Sequence, residues 1–330
     1  MFQTFYPNET SFSQVTLSAR WSNPSGNFLL INSYFSTESS GKGGAIFINT
    51  GFIKLLIELC VFNGCRSTAD QAGAVYSYAD NAEIVFNKVC AYWCYTLANQ
   101  FQQFAAIGNS NFKTISCYLL SITKCSPFAD NGYDVMYIAQ GKQQASNVNT
   151  SNNLAYSHSG FCFYTPSELD AKYFNVVDNK AKTICIRFMN GHLSRKFYLS
   201  NVIGNNSPNE HGVAWFNFGD FFLEKVIFLN NQNVLFKVDA GMLFIYKCWI
   251  SHTGTLTQGS NINFFQTGST TNSHIIKMFA SNSCLAVLSF GSFDTHPYQT
   301  ITSCPINSCH MIIHQSKLTI LLSFLSLISH

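Results

Sequence analysis

The chain has 330 residues, of which 47% are apolar, 15% aromatic and only 11% charged, against roughly 25% charged in an ordinary globular protein. So much apolar surface with so little charge excludes a disordered chain, and also long exposed helices or coiled coils, whose outer faces need Glu, Lys and Arg. A net charge of +3 points to no strongly charged partner, nucleic acid included.

Residues 1–26 open with MFQTFYPNETSFSQ, which has neither the basic stretch nor the apolar run of a secretory signal. This segment is expected as an N-terminal cap or loose segment. From residue 27 onward the chain repeats itself. Gly43-Gly44-Ala45-Ile46-Phe47 returns 29 residues on as Ala72-Gly73-Ala74-Val75-Tyr76. Weaker echoes follow at 104–107, 133–137, 160–164, 183–186, 212–216, 234–236 and 262–265. The spacing averages roughly 27 residues, inside the range of solenoid repeats. Between the markers lie second apolar segments, at 53–62, 84–90, 112–120, 197–203, 222–228 and 243–250. Several alternate apolar and polar residues as half-buried strands do. Clusters of Asn, Gly, Ser and Asp separate them and read as turns. No segment shows a capped helical stripe.

Short strands, turn clusters and a loose period of this length predict an all-β fold: a single-stranded right-handed parallel β-helix of nine or ten coils over 27–315. One coil cannot bury its inward side chains alone, whereas stacking pairs every backbone group with the coil above and below. The hydrophobic C-terminal tail, 316–330, contains a twelve-residue apolar run at 318–329, short of the roughly 20 residues that span a bilayer as a helix. It is read either as a membrane-associating tail or as a buried final strand.

The Gly43-Gly44-Ala45-Ile46 tetrapeptide resembles the repeat motif of the polymorphic outer-membrane protein family, a group of β-helical surface adhesins. That family pairs it with Phe-x-x-Asn. Matches stand at Phe128–Asn131, Phe228–Asn231 and Phe279–Asn282, each before a marker segment, and at Phe5–Asn8 outside the repeats. The repeat markers are therefore Gly43, Gly44, Ala45, Ile46, Gly73, Ala74, Phe228 and Asn231. The resemblance implies a surface or secreted β-helix that acts in adhesion or as a structural spacer, with host-cell or matrix glycans or proteins as partners. A pectin-lyase-like polysaccharide enzyme, an intracellular scaffold and a gene fragment are the alternatives.

Twelve cysteines are present. Cys60, Cys65, Cys90, Cys94 and Cys117 fall at comparable places in successive repeats and are expected to stack as the columns Cys60/Cys90/Cys117 and Cys65/Cys94. Within such columns they act as buried thiols, as disulfides or, less in keeping with their spacing, as metal ligands. Cys304, Cys309, His310 and His314 form the most metal-like group in the sequence, but the flanking Met311-Ile312-Ile313 favours a buried strand or turn near the end cap. Polysaccharide enzymes need clustered carboxylates, and the 16 acidic residues are scattered. The 191–196 segment has a His, Arg and Lys but no upstream pair of aspartates, so it is read as a turn. Trp93, Trp215, Trp249, Tyr92, Tyr198 and Tyr246 are candidates for a sugar-stacking platform, or simply for core stacking. The sequence indicates no cofactor and no catalytic group.

Overall fold

Strand Phe52–Glu58 shows how one coil is made. Ile53, Leu55 and Ile57 alternate with Lys54, Leu56 and Glu58, and the first three enter the main core together. The next coil lays Ala82, Ile84 and Phe86 in register on them. The computed structural model describes residues 2–265, apart from 23, 50, 70, 98–100, 110–112, 128–131, 191–194, 210 and 260–261. Its strands pair in parallel into sheets of 19, 10 and 3 strands, building a β-solenoid of about eight turns. This count is of the described residues, which stop at 265, where nine or ten coils were expected over 27–315. The tail, and the expected end of the solenoid at 315, lie outside the described residues. No helix among the described residues is long and apolar enough to cross a membrane.

Parallel pairing begins at Ser13, ahead of the expected boundary at 27. Ser13–Val15 pairs with the 26–31 strand and Trp21–Ser22 with the 46–48 strand. The short helix Phe2–Phe5 is tied down as well. Phe2 and Tyr6 bury against Leu29, Leu56 and Val85, and the Tyr6 hydroxyl donates to the Glu83 carbonyl at 2.8 Å. Residues of the segment expected as a cap or loose stretch thus cover part of the outer face of the largest sheet.

Each coil bends where one residue takes the left-handed conformation. One column of such residues includes Leu59, Lys88, Leu119, Tyr173 and Lys225, at φ between 49° and 56°. A second corner, some five residues on, carries Gly64, Trp93, Lys124, Asp178 and Gly204. For non-glycine residues this conformation costs about 1–2 kcal/mol each, which the pairing of whole coils on either side must offset. It also reverses the strict alternation of faces along the chain. The cysteine columns depend on that reversal.

At the second corner, polar side chains form an internal ladder. Asn153 Nδ2 donates to Asn179 Oδ1 at 3.0 Å, Asn179 Nδ2 to Asn205 Oδ1 at 3.2 Å, and Asn205 Nδ2 to Asn231 Oδ1 at 3.1 Å. The same oxygens accept the backbone N–H groups of Asn153, Asn179 and Asn205, donors the turn would otherwise leave unpaired. Asn231 of the Phe-x-x-Asn marker ends this ladder, and Phe228 of the same marker lies in the core. Replacing Asn179 by alanine leaves the Asn153 N–H and the Thr150 carbonyl without their bonds, at an expected cost of about 2–4 kcal/mol. A shift of the urea midpoint with unchanged slope reads this loss. A midpoint that does not move would show the ladder to be energetically idle.

Below Asn153 the ladder continues in sulfur. The Cys125 N–H donates to Asn153 Oδ1 at 2.8 Å, and Cys65, Cys94 and Cys125 stack as buried free thiols, with Cys65 and Cys94 donating to the Phe35 and Phe62 carbonyls of the coil before. The expected Cys65/Cys94 column is therefore present, extended by Cys125. The Cys60/Cys90/Cys117 column is not. Cys90 pairs with Val61 and Ser121, and Cys117 with Phe86 and Ala145. Cys60 precedes Val61, so its register partner is Val89. A one-residue offset turns a side chain to the opposite face. Cys90 accordingly lies with Val61 and Tyr92 outside the main core and is disulfide-bonded, whereas Cys60 and Cys117 are core thiols.

Candidate functional site

The ten-stranded sheet turns one column of side chains outward. In register from coil to coil it runs Phe47, Tyr76, Ala106, Tyr137, Cys162 and Arg187, and then reaches Trp215. The upper part is an aromatic stack, with Phe47 and Tyr76 rings 5.4 Å apart at 12°. Tyr78 lies beside Tyr76 at 5.4 Å and shares a hydrogen bond with the Tyr137 hydroxyl. Ala106 and Gly108 leave the room that the Tyr78 ring fills: a Cβ on Gly108 would stand 2.8 Å from it. At the other end the Arg187 guanidinium sits 4.2 Å above the Trp215 ring. His211 stacks on that ring at 4.6 Å, and the indole N–H donates to Asp239 at 2.8 Å.

Beneath Tyr78 and Tyr137 lies a buried group that the sequence reading did not find. The Asp134 carboxylate contacts His158 Nδ1. Gln102 donates to the other carboxylate oxygen at 3.2 Å, and Ser157 Oγ is 3.3 Å from His158 Nε2. Tyr133 packs edge-on against the imidazole. Cys162 completes the group: one ligand atom each from Asp134, His158 and Cys162 lies within 4.8 Å of the other two. All three side chains are about 1% exposed. Asp134 bridges to His158 from the preceding coil, and a register shift between His158 and Phe161 adjusts how the strand aims its side chains. Burial, with a smaller contribution from Asp134, pushes the Cys162 thiol well up. Burial and then Tyr78 do the same to the Tyr137 phenol. The one sequence signal was the His158-x-x-x-Cys162 spacing; Asp134 is a full coil away.

The opposite outer face carries an open groove of about 340 Å³ lined by Lys142, Gln144, Glu168, Asp170, Lys196 and Tyr198 among others. Its carboxylates are matched by lysines: Glu168 to Lys142 at 2.7 Å and Asp170 to Lys172 at 3.8 Å. Along the same columns Phe222 and Phe244 stack at 4.8 Å and 10°, with Tyr198, Glu224 and Tyr246 in register beside them. Phe222 is 39% exposed and Tyr246 38%.

The six aromatic residues expected as a platform are thus divided. Tyr198 and Tyr246 share the grooved face. Trp215 is on the ten-stranded sheet, clamped by Arg187. Trp93 projects from a corner at 51% exposure, with φ 53°. Tyr92 and Trp249 stand half-buried on the limb beyond the first bend. The exposed Phe222 and the half-buried Phe244, which complete this aromatic strip, were missed because their segments read only as core strands. Among the described residues Asp134, His158 and Cys162 form the one group of three close acidic, histidine or cysteine donors. Cys304, Cys309, His310, His314 and residues 191–194 lie outside the described residues. No protein-family model, curated protein or solved structure matches the chain.

Proposed function

We propose that the protein is a non-enzymatic β-helix of the cell surface or a secreted one, which acts in adhesion by holding a glycan along the grooved face. The observation that carries this reading is the stack of the exposed Phe222 on the half-buried Phe244, continuous in register with the polar groove at Gln144, Asp170 and Lys196. Flat apolar rings beside hydrogen-bonding groups suit a sugar, which offers an apolar ring face and a polar edge. A rigid sheet presents such a surface with little ordering cost. The tetrapeptide resemblance points to the same class of surface β-helix, and the lysine-matched carboxylates of the groove suit recognition better than acid–base chemistry.

The test is a glycan microarray probed with the full chain, followed by titration of the strongest hit. The Phe222→Ala/Phe244→Ala double variant is expected to bind at least about tenfold more weakly, a loss of about 1.4 kcal/mol, with an unchanged circular dichroism spectrum. Absence of any glycan binding, or binding indifferent to the double substitution, would contradict the reading. Shortening of a polysaccharide that stops in the Glu168→Gln or Asp170→Asn variant would replace it with the enzymatic alternative. Surface protease shaving of the native source checks the location.

A further inference from the structure

We propose that Asp134, His158 and Cys162 are the protein ligands of a zinc ion held under the ten-stranded sheet's tyrosine pair. This site is independent of the glycan reading and lies on another face. The donor set is a thiol, an imidazole and a carboxylate, a combination that suits zinc among the common divalent metals. The three donors lie within 4.8 Å of one another; tetrahedral zinc at its usual bond lengths keeps such ligand atoms about 3.3–3.6 Å apart, so the direct contact between Asp134 and His158 Nδ1 opens to admit the ion.

Charge is the second argument. All three side chains are buried, a setting in which a charged ligand set and its ion have to be neutral in sum. One divalent ion with Asp134 and Cys162 ionised and His158 neutral sums to zero. The third argument is the surrounding shell. Gln102 holds the free oxygen of Asp134 at 3.2 Å, and Ser157 Oγ lies 3.3 Å from the imidazole Nε2. Outer-shell bonds of this kind orient metal ligands. Three protein ligands leave the fourth position to water, and burial implies that the ion enters as the coils close.

The test is elemental analysis of the purified full chain, with cobalt(II) substitution as a spectroscopic probe of thiolate ligation. The expected result is one zinc per chain and an intense near-ultraviolet thiolate-to-cobalt band. Cys162→Ala should abolish the band, and His158→Ala should remove the zinc. Cys117→Ala, which deletes a core thiol elsewhere, should keep both. His310→Ala/His314→Ala should also leave the stoichiometry at one, separating this site from the tail's cysteine–histidine group. A folded wild-type protein that takes up neither zinc nor cobalt would overturn the proposal, as would full zinc retention in a folded Cys162→Ala variant. Where a Cys162 or His158 variant fails to fold, the cobalt spectrum of the His310→Ala/His314→Ala chain still decides, since a hydrogen-bonded Asp–His pair beside an unligated thiol gives no such band.

Discussion

Replacing Gly73 by alanine will destabilise the protein by about 3 kcal/mol or more, the upper end of what an overpacked interior costs. A β-carbon there would stand 2.5 Å from the Tyr95 carbonyl oxygen and 2.7 Å from the Tyr95 nitrogen, and would press on the Gln103 carbonyl. All three obstacles are main chain in neighbouring coils, so no side-chain rotation relieves them. Gly44 occupies the same place one coil earlier, where a β-carbon would meet the Arg66 oxygen at 2.7 Å and nitrogen at 2.9 Å. The second glycine of the tetrapeptide is thus a close-approach position, whereas the first, Gly43, sits at φ 51° and serves the turn. Gly41→Ala is the control, since nothing lies within 4 Å of its added carbon. Urea midpoints for the two variants should differ widely; equal midpoints would show that the coils do not approach as described.

The second large effect is alkaline unfolding. Burial pushes the thiols of Cys60, Cys185 and Cys248 from an ordinary 9.0 up to about 12. These groups stay protonated in the folded state while their unfolded counterparts ionise near pH 9. Their contribution is therefore complete below pH 9 and is lost as pH climbs from 9 to 12. Each thiol removes about 1.4 kcal/mol per pH unit in that window, so the three together remove about 4 kcal/mol per unit. Tyr6, whose phenol is raised by burial and by Glu83, adds to the loss above pH 10. Urea midpoints recorded from pH 7 to 11 should hold level to about pH 8.5 and then fall steeply. The Cys60→Ala/Cys185→Ala/Cys248→Ala variant should start lower, for its lost packing, and fall less. A level profile in the wild type through pH 11 would mean that these thiols are not buried.

Much of the fold was legible because solenoid physics writes itself into the chain at each coil. The Gly44 and Gly73 markers and the segment around Ile84 recur where the same backbone approach and the same inward face recur. The coil corners were not legible. Leu59, Lys88 and Tyr173 hold a left-handed conformation that no glycine or asparagine announces, and the face reversal they cause broke the Cys60/Cys90/Cys117 alignment. The internal ladder was half visible. Aligning Phe62-x-x-Cys65, Ile122-x-x-Cys125 and Val176-x-x-Asn179 with Phe228-x-x-Asn231 would have placed cysteine and asparagine in one column, because either side chain can occupy that corner. The Asp134–His158–Cys162 group escaped for a topological reason. Its members belong to two coils and a register shift, so sequence spacing carries only the His158–Cys162 half.

The central claim is that in-register parallel coils bring together residues more than twenty positions apart. Engineered pairs on the exposed grooved face test it most directly. Phe222 and Phe244 are register partners, as are Lys196 and Phe222, and partners on adjacent strands lie about 4.8 Å apart, within reach of a disulfide. The Phe222→Cys/Phe244→Cys and Lys196→Cys/Phe222→Cys variants should each form an intramolecular disulfide under mild oxidation, seen by mass spectrometry as one linked peptide. Lys196→Cys/Leu223→Cys should not, because Leu223 faces the core. Linkage in the first two and none in the third is the predicted pattern. Linkage only in the third, or none in any native-state sample, would contradict the parallel register on which the fold, the ladders and both proposed sites depend.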